Sequence, residues 1–354
     1  MPPSSHIISA TLQRWFAENK RDLPWRETQN PYLIWISEII LQQTRVAQGY
    51  DYYLRFVARF PDVKTLAEAD EGDVLRLWQG LGYYSRARNL HVAAKQIVGD
   101  FDGRFPENFP DVLRLKGVGR YTAAAICSFA FGTPVAVVDG NVYRVLARLF
   151  GEETPIDSGE GQKRFEALAA AILDRRHPSA HNQAIMEFGA LQCTPLAPDC
   201  AACVLHAHCR AAADGTVALL PVKAKKTKIS ERFFTYLVIT CGEQIFIRRR
   251  TERDIWRGLY DFPLIETPAL LTKEEIVENE AVKEILSGVK NAVFRNFSKV
   301  YKHVLTHRRL FAQFVAVEIS DISQHLEQQF IKTEKSALAD YPLPRLIERY
   351  LISD

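Results

Sequence analysis

No stretch of this sequence stays apolar for the ~20 residues that a membrane-spanning helix needs. Residues 1–11 lack the basic start and the apolar core of a secretory signal peptide. Internal repeats and low-complexity tracts are missing as well. These features argue against membrane, secreted and repeat proteins, and they predict a soluble protein of the cytoplasm.

The chain also has little excess charge of either sign. Lysine and arginine total 45 against 42 aspartates and glutamates, a net charge of +3, which alone does not indicate nucleic-acid binding. A DNA-binding surface would therefore depend on local clusters of cations, such as Lys223, Lys225, Lys226 and Lys228. Because 47% of the 354 residues are hydrophobic, the chain can bury large cores, and two domains are expected.

Cysteine is scarce, and the six cysteines are unevenly placed. Cys127 and Cys241 stand alone in apolar segments, where a core position is expected. The other four follow a C-x6-C-x2-C-x5-C spacing at Cys193, Cys200, Cys203 and Cys209. In a cytosolic chain this crowding favours a metal site over disulfides. The spacing alone suits zinc, with His206 or His208 as a substitute ligand, as well as an iron–sulfur cluster.

Two glycines with one residue between them punctuate the chain between apolar-periodic segments. Gly117, Val118 and Gly119 predict a tight hairpin between two short helices, over about residues 110–125. The first amides of a helix lack internal partners and lie at the positive end of its dipole. The amides before Thr122 are therefore suited to hold a phosphate without reading a base, although such a pattern is often only a turn.

Two carboxylates stand in contrasting surroundings. Asp139 follows the apolar run 135–138 and precedes a helix-forming segment, so it is predicted to cap that helix and to stay ionised. Glu38 lies in a helix predicted over 32–49 that is apolar around nearly its whole circumference. It either forms a structural ion pair with an arginine such as Arg45 or has a pKa raised by burial. In the second case the two carboxyls form an acid and a base.

Further polar groups suit contacts with DNA. The loop over residues 79–88 combines glycines with Tyr83, Arg86 and Arg88, which offer an aromatic face and cations to nucleic acid. A tyrosine-rich surface turn explains the same loop equally well. Gln42 and Gln43, at the end of a helix, are similarly ambiguous.

The composition changes after residue 215. A basic linker is expected over 216–231. Strands are predicted over 233–241 and 244–250 around a turn at Gly242, followed by an acidic helical stretch and a strand over 310–318. An α+β domain over 232–354 follows from this order.

Taken in order along the chain, these motifs resemble one family. They are Trp-x-Ser-Glu-x-x-Leu-Gln-Gln-Thr-Arg-Val, Gly-Leu-Gly-Tyr-Tyr, Leu-x-Gly-Val-Gly-x-Tyr-Thr-Ala, Val-Asp-Gly-Asn-Val and the cysteine cluster. With the appended mixed domain, they closely resemble the MutY-type adenine DNA glycosylases of the endonuclease III superfamily. The resemblance covers nearly the whole chain.

The resemblance implies an architecture and an activity. A mainly α helix-hairpin-helix glycosylase region is expected over 1–215 with a 4Fe-4S loop over 193–209, followed by a Nudix-like lesion-recognition domain over 232–354. The implied activity is base-excision repair: adenine opposite 8-oxoguanine or guanine in double-stranded DNA is flipped out and removed by hydrolysis. A monomer is the default expectation.

The resemblance also implies catalytic roles. Glu38 would protonate the departing purine, and Asp139 would stabilise the positive sugar that remains. Tyr121 and Asn141 would line the site. Relatives that also cut the strand carry a lysine where this chain has Tyr121, because that amine forms a Schiff base. A glycosylase without strand cleavage is therefore expected.

DNA contacts are implied as well. Gln43 and Tyr83 correspond to residues that enter the base stack when adenine flips out. The full set of expected DNA contacts is Arg26, Gln42, Gln43, Tyr83, Arg86, Arg88, Gly117, Val118, Gly119 and Thr122. One 4Fe-4S cluster is expected on the four clustered cysteines.

The second domain departs from the family pattern. Its lesion-reading loop commonly carries Phe-Ser-His, whereas this chain has Leu305, Thr306 and His307, which keep a hydroxyl but lose an aromatic face. The Arg-Glu-x-x-Glu-Glu box of active Nudix hydrolases is absent, so no pyrophosphatase activity is expected. Two rival hypotheses stay open: an endonuclease III-like enzyme for oxidised pyrimidines, and a non-catalytic iron–sulfur DNA-binding protein.

Overall fold

The structure is a computed structural model that describes residues 5–224 and 229–353. The chain forms two compact units, Met1–Glu68 with Asn89–Lys226, and Ala69–Arg88 with Thr227–Asp354. Lys225, Lys226 and Lys228 of the basic cluster lie outside the described residues. No helix of the described residues is long and apolar enough to cross a membrane.

The first unit is helical. Up to the end of the cysteine loop the helices are α1 (Ser5–Asn19), α2 (Pro31–Leu41), α3 (Val46–Arg59), α4 (Val63–Glu68), α5 (Glu71–Leu77), α6 (Ser85–Asp100), α7 (Phe109–Arg114), α8 (Arg120–Phe131), α9 (Gly140–Phe150), α10 (Gly159–Ile172), α11 (Pro178–Leu191) and α12 (Arg210–Ala213). Of these, α5 and the start of α6 belong to the second unit. A core formed mainly by α1, α8, α9, α10 and α11 includes Phe165 and Phe188, both fully buried.

The helix predicted after residue 31 differs from the structure. Before it, α1 ends at Asn19, and Pro24–Arg26 forms a separate 3-10 turn. The helix predicted over 32–49 is two helices, α2 and α3, because Gln43 adopts a left-handed φ of 57° that interrupts the hydrogen-bond ladder. Arg45 is the N-cap of α3, and no described ion pair joins it to Glu38, whose carboxylate accepts from Tyr121; the arginine that lowers the pKa of Glu38 is Arg26.

The predicted hairpin and capped helix are both present. α7 and α8 are joined by the turn through Gly117, whose φ is 77°, and Gly119 is the N-cap of α8. A Cβ at residue 117 would lie 2.6 Å from the Cβ of Asn89, so the turn leaves no room for a side chain. Asp139 caps α9 as predicted.

The second unit is built on a mixed sheet. Its strands are β1 (Ser230–Cys241), β2 (Gln244–Arg249), β3 (Tyr260–Asp261), β4 (Leu264–Thr267), β5 (Ala292–Phe297), β6 (Tyr301–Val304), β7 (Arg308–Ile319) and β8 (Ile331–Glu334). Its later helices are α13 (Lys273–Glu278), α14 (Glu280–Ile285), α15 (Gln324–Gln329) and α16 (Arg345–Ser353). β1 and β7 pair in parallel at the centre of the order β3-β2-β1-β7-β5, with Phe233 opposite Phe311.

The domain boundaries differ from the sequence prediction in two places. Residues 69–88 group with the second unit, where Glu71 pairs with Arg249 at 3.0 Å. Part of the expected linker belongs to the first unit, because Leu220 is buried there and Arg148 Nε donates to its carbonyl oxygen at 3.2 Å. β1 already begins at Ser230.

Candidate active site

A cavity of about 870 Å³ in the first unit collects the predicted catalytic residues. Side chains from α2, α8, α9 and α11 form its walls. Glu38, Tyr121, Asp139 and Asn141 all line it. Four residues that lie up to 103 positions apart in the chain are thus brought together around one space.

Glu38 is a buried carboxyl at the centre of this cavity. It is 8% exposed, and the Tyr121 hydroxyl donates to its Oε2 at 2.6 Å. Burial raises the pKa of Glu38 to about 7, against the opposing effect of the Tyr121 hydrogen bond. A carboxyl with this pKa both holds and releases a proton near neutral pH.

Asp139 is positioned by the helix that it caps. Its Oδ1 accepts from the Val142 amide at 2.7 Å, and its Oδ2 accepts from the Asn141 side-chain amide at 3.0 Å. From its position at a helix terminus, this carboxyl was predicted to stay ionised. Instead, burial raises the pKa of Asp139 above its usual value, and the two amides offset only part of that effect.

Arg144 connects the catalytic cavity to the cysteine loop. Its Nη2 donates to Asn141 Oδ1 at 2.9 Å, and its Nε donates to the Cys193 carbonyl oxygen at 2.7 Å. Arg144 was not predicted from the sequence as a site residue. Its position one helical turn after Asn141 could have indicated that the two side chains touch. Gly189 leaves space for the connection, since a Cβ there would lie 2.7 Å from the Cβ of Asn141.

The four clustered cysteines line one small cavity beside Arg148. Arg148 is 3% exposed, and its Nη1 lies 3.4 Å from Cys193 Sγ and donates to the Thr194 carbonyl oxygen at 2.7 Å. Among the described residues, no three His, Cys, Asp or Glu side chains are grouped to hold a single metal ion. The thiols instead surround a shared space. Arg148, the cation beside them, was not predicted from the sequence.

Arg26, expected to contact DNA, is bound to a buried carboxylate. Its Nη1 and Nη2 donate to Glu187 Oε1 and Oε2 at 2.9 and 2.7 Å, and Arg21 Nη2 contacts the same carboxylate at 2.5 Å. Burial raises the pKa of Glu187, but the two arginines outweigh it and lower the pKa to about 2. All three residues line the same cavity as Glu38.

Two of the expected DNA contacts in the first unit touch each other. Gln42 Nε2 donates to Thr122 Oγ1 at 3.1 Å, which joins the end of α2 to the first turn of α8. Gln42 and Gln43 line the cavity. The Val118 amide donates to the Leu115 carbonyl oxygen at 3.1 Å, so it is engaged within the hairpin.

The second unit brings another group of predicted residues together. The Tyr83 hydroxyl lies 2.5 Å from Thr306 Oγ1, beside a cavity of about 880 Å³ that is also lined by Leu305, His307 and Arg88. The guanidinium group of Arg86 packs over the ring of Trp78 at 5.3 Å, and burial lowers the pKa of Arg86 to about 10.

Comparison with known proteins places the chain among DNA repair enzymes. Residues 36–170 match the HhH-GPD superfamily base excision DNA repair protein family, and residues 235–353 match the NUDIX domain family. The adenine DNA glycosylase of Buchnera aphidicola subsp. Schizaphis graminum is 33% identical over 303 residues, covering 85% of this chain and 86% of that protein. The adenine DNA glycosylase of Arabidopsis thaliana is 32% identical and covers 90% of this chain and 58% of that protein.

Solved structures agree on the helical fold. A thermostable thymine-DNA glycosylase superposes with a TM-score of 0.56 at 29% identity, covering 60% of this chain and 97% of that chain. An endonuclease III–DNA complex gives a TM-score of 0.52 at 22% identity over 61% of this chain and 99% of that chain, a likeness of fold alone. The resemblance drawn from the motifs is confirmed: the chain belongs to the adenine DNA glycosylase family.

Proposed function

We propose that this protein hydrolyses the bond between adenine and its sugar where adenine is paired with 8-oxoguanine or guanine in double-stranded DNA. The observation that carries the proposal is the pairing of Glu38, with its pKa of about 7, and Asp139 in one cavity. An acid whose pKa lies near the working pH is suited to proton transfer. The names of the relatives support adenine as the base removed.

In the proposed reaction, the protonated Glu38 carboxyl gives its proton to a ring nitrogen of adenine. The bond from the sugar carbon to the base breaks, and its electron pair leaves with the base. The Asp139 carboxylate stabilises the positive charge on the sugar, electrostatically or by a transient bond. Water then attacks the sugar carbon and passes a proton to the Glu38 carboxylate, which restores the acid.

Tyr121 and Asn141 act on these two carboxyls. The Tyr121 hydroxyl, 2.6 Å from Glu38, holds the acid in place, and Asn141 donates to Asp139. A phenol has no amine to form a Schiff base with the opened sugar, so we propose base removal without strand cleavage. Strand nicking that accompanies base release would favour the endonuclease III-like alternative.

DNA is held, in this proposal, by the hairpin and by two inserted side chains. Gly117 and Gly119 set the turn before α8, whose first amides suit a phosphate. Gln43 and Tyr83 have φ values of 57° and 49°, a left-handed conformation that costs free energy in residues with a side chain. We propose that this backbone presents each side chain to the base stack. Further proposed DNA contacts are Arg26, Gln42 and Thr122 in the first unit and Arg86 and Arg88 in the second.

We propose that Cys193, Cys200, Cys203 and Cys209 hold a 4Fe-4S cluster. The fit rests on four thiols that line one cavity, with the buried Arg148 guanidinium beside Cys193 to balance negative charge. When bound, the cluster would supply four thiolate bonds that fix the loop over residues 193–209. Through the Cys193 carbonyl oxygen, that loop also orients Arg144 and hence Asn141.

In the second unit we propose that Thr306, with Leu305 and His307, recognises the base opposite adenine. Support comes from the contact of Thr306 with Tyr83, one of the two residues proposed to enter the stack. A monomer and a cytoplasmic location stay predictions.

One experiment tests the function directly. Single-turnover base release is measured on duplexes with adenine opposite 8-oxoguanine, guanine or thymine, with and without alkali to reveal strand cleavage. We expect the fastest release opposite 8-oxoguanine, slower release opposite guanine and negligible release opposite thymine. If the wild type releases no base, the non-catalytic alternative is correct. If the Glu38→Gln and Asp139→Asn proteins release adenine as fast as the wild type, the roles proposed for these two residues are wrong.

A further inference from the structure

The lesion-reading loop is a tight hairpin between two strands. Leu305–His307 connects β6 to β7, and the Leu305 amide donates to the Arg308 carbonyl oxygen at 2.8 Å. Thr306 and His307 at the tip are exposed. The tip contacts Tyr83 through Thr306 and the Ser230 amide through the His307 carbonyl oxygen, and further contacts are made at the base of the hairpin.

Arg308, the first residue of β7, supplies such a contact. Its Nη1 donates to Asp254 Oδ1 at 2.7 Å. Asp254 also accepts from Arg232 at 2.8 Å and from Arg250 at 3.2 Å, so it is held in place by three guanidinium groups. Removal of the Arg308 side chain leaves Asp254 bound to Arg232 and Arg250, so only the contact between Asp254 and the hairpin is lost.

A second contact joins the same two segments. Trp256, two residues after Asp254, is buried and has a left-handed φ of 61°. Its ring packs edge-on against the ring of His303 in β6, with centroids 5.8 Å apart. The segment around Asp254 thus contacts both strands of the hairpin, one through an ion pair and one through a ring contact.

We propose that Arg308 is a positioning residue for recognition of the base opposite adenine. Its ion pair with Asp254 holds the hairpin so that the Thr306 hydroxyl meets the Tyr83 hydroxyl. The inference rests on the proposed function, because it assigns Arg308 an effect on lesion preference through Thr306.

The test is a double-mutant cycle in the full-length protein. Arg308→Gln, Thr306→Ala and the double variant are compared with the wild type by single-turnover adenine release opposite 8-oxoguanine and opposite guanine. We expect Arg308→Gln to shrink the ratio of the two rates by up to about fivefold, the upper end for one partly exposed ion pair. In the Thr306→Ala protein the same substitution should cause no further loss, because its effect passes through Thr306.

The neighbouring residue provides a matched control. Arg309 points to the opposite face of the strand and lies 3.6 Å from Glu231, with an exposure of 43% against 37% for Arg308. Arg309→Gln removes the same charge and should leave the ratio unchanged. Arg308→Lys keeps a cation near Asp254 and should recover part of the preference. Thermal unfolding checks that each variant is folded.

Two results would overturn the inference alone: an unchanged ratio in Arg308→Gln, or losses of the ratio in Arg308→Gln and Thr306→Ala that multiply in the double variant. An equal loss on both duplexes would mark Arg308 as a contact to the DNA backbone. A wild-type protein that releases no adenine, or releases it equally from both duplexes, would overturn the proposed function together with this inference.

Discussion

Glu38 illustrates how one buried group serves chemistry at the expense of stability. Its carboxyl is buried, and its single described hydrogen bond comes from Tyr121. Because burial favours the neutral form, the residue keeps a proton to a higher pH than an exposed glutamate does. The same burial makes the anion unfavourable once that proton is lost.

The acid role predicts a pH dependence. Glu38 acts in its protonated form, so single-turnover base release should fall as the pH rises through about 7. Glu38→Gln should lower the rate about 10²- to 10⁴-fold at pH 7, the usual contribution of a general acid. Binding to the same duplex, measured by fluorescence anisotropy, should be nearly unchanged. A rate that is constant from pH 5 to 9 in the wild type would contradict the role.

The same substitution should stabilise the protein. The pKa of Glu38 rises from 4.5 to about 7 on folding, so its cost to stability appears between those pH values and is complete above 7. Glu38→Gln removes that cost, on the order of 3 kcal/mol at pH 8 and little at pH 4. Urea unfolding at both pH values measures the difference. Equal stability of the two proteins at pH 8 would show that burial does not penalise this carboxylate.

At the scale of elements, the hairpin between α7 and α8 tolerates no side chain at Gly117. Alanine there meets Asn89 and must adopt a φ of 77°, which costs about 1–2 kcal/mol before the clash is counted. We expect Gly117→Ala to lower the melting temperature and to weaken binding to all duplexes alike. Gly119→Ala is the matched control for the melting temperature, because a Cβ at Gly119 has no neighbour within 4 Å and its φ of −93° suits alanine.

Local patterns predicted the elements that local chemistry determines. The Gly-x-Gly turn and the cap at Asp139 are set by neighbours in the chain, and both are present. The break after Leu41 was not predicted, because neither glycine nor proline marks it. Glu187 was missed for a different reason: its partners Arg21 and Arg26 lie more than 160 residues away, so their pairing arises only on folding.

The cysteine loop predicts a consequence for the catalytic cavity. Pro195 lines the cavity, and the Cys193 carbonyl oxygen accepts from Arg144. The purified protein should contain about four irons per chain and absorb broadly in the visible. Removal of iron should loosen residues 193–209, increase proteolysis within them and slow base release. Arg144→Gln should slow base release while the iron content stays that of the wild type. Stoichiometric zinc without visible absorbance would contradict the cluster.

At the scale of the whole molecule, the two units are expected to divide the work. Thr306→Ala should reduce the preference for 8-oxoguanine over guanine several-fold, since one lost hydrogen bond is worth ~1 kcal/mol, while the rate opposite guanine changes little. Leu305→Phe should leave that preference unchanged or increase it, because it adds an aromatic surface. Asp139→Asn should lower both rates together. Single-turnover measurements on the two duplexes separate these patterns.

The second unit is built from two separate segments of the chain, and this affects its folding during synthesis on the ribosome. The second unit needs residues 69–88 as well as the segment that begins at Thr227, so its early piece emerges at least 138 residues before its partner. At a synthesis rate of roughly 5–20 residues per second, that piece waits on the order of ten seconds or more with Leu75 and Trp78, both buried in the finished protein, lacking their final neighbours. We therefore expect ribosome-bound chains that contain residues 69–88 but lack the segment after Thr227 to depend most strongly on chaperones.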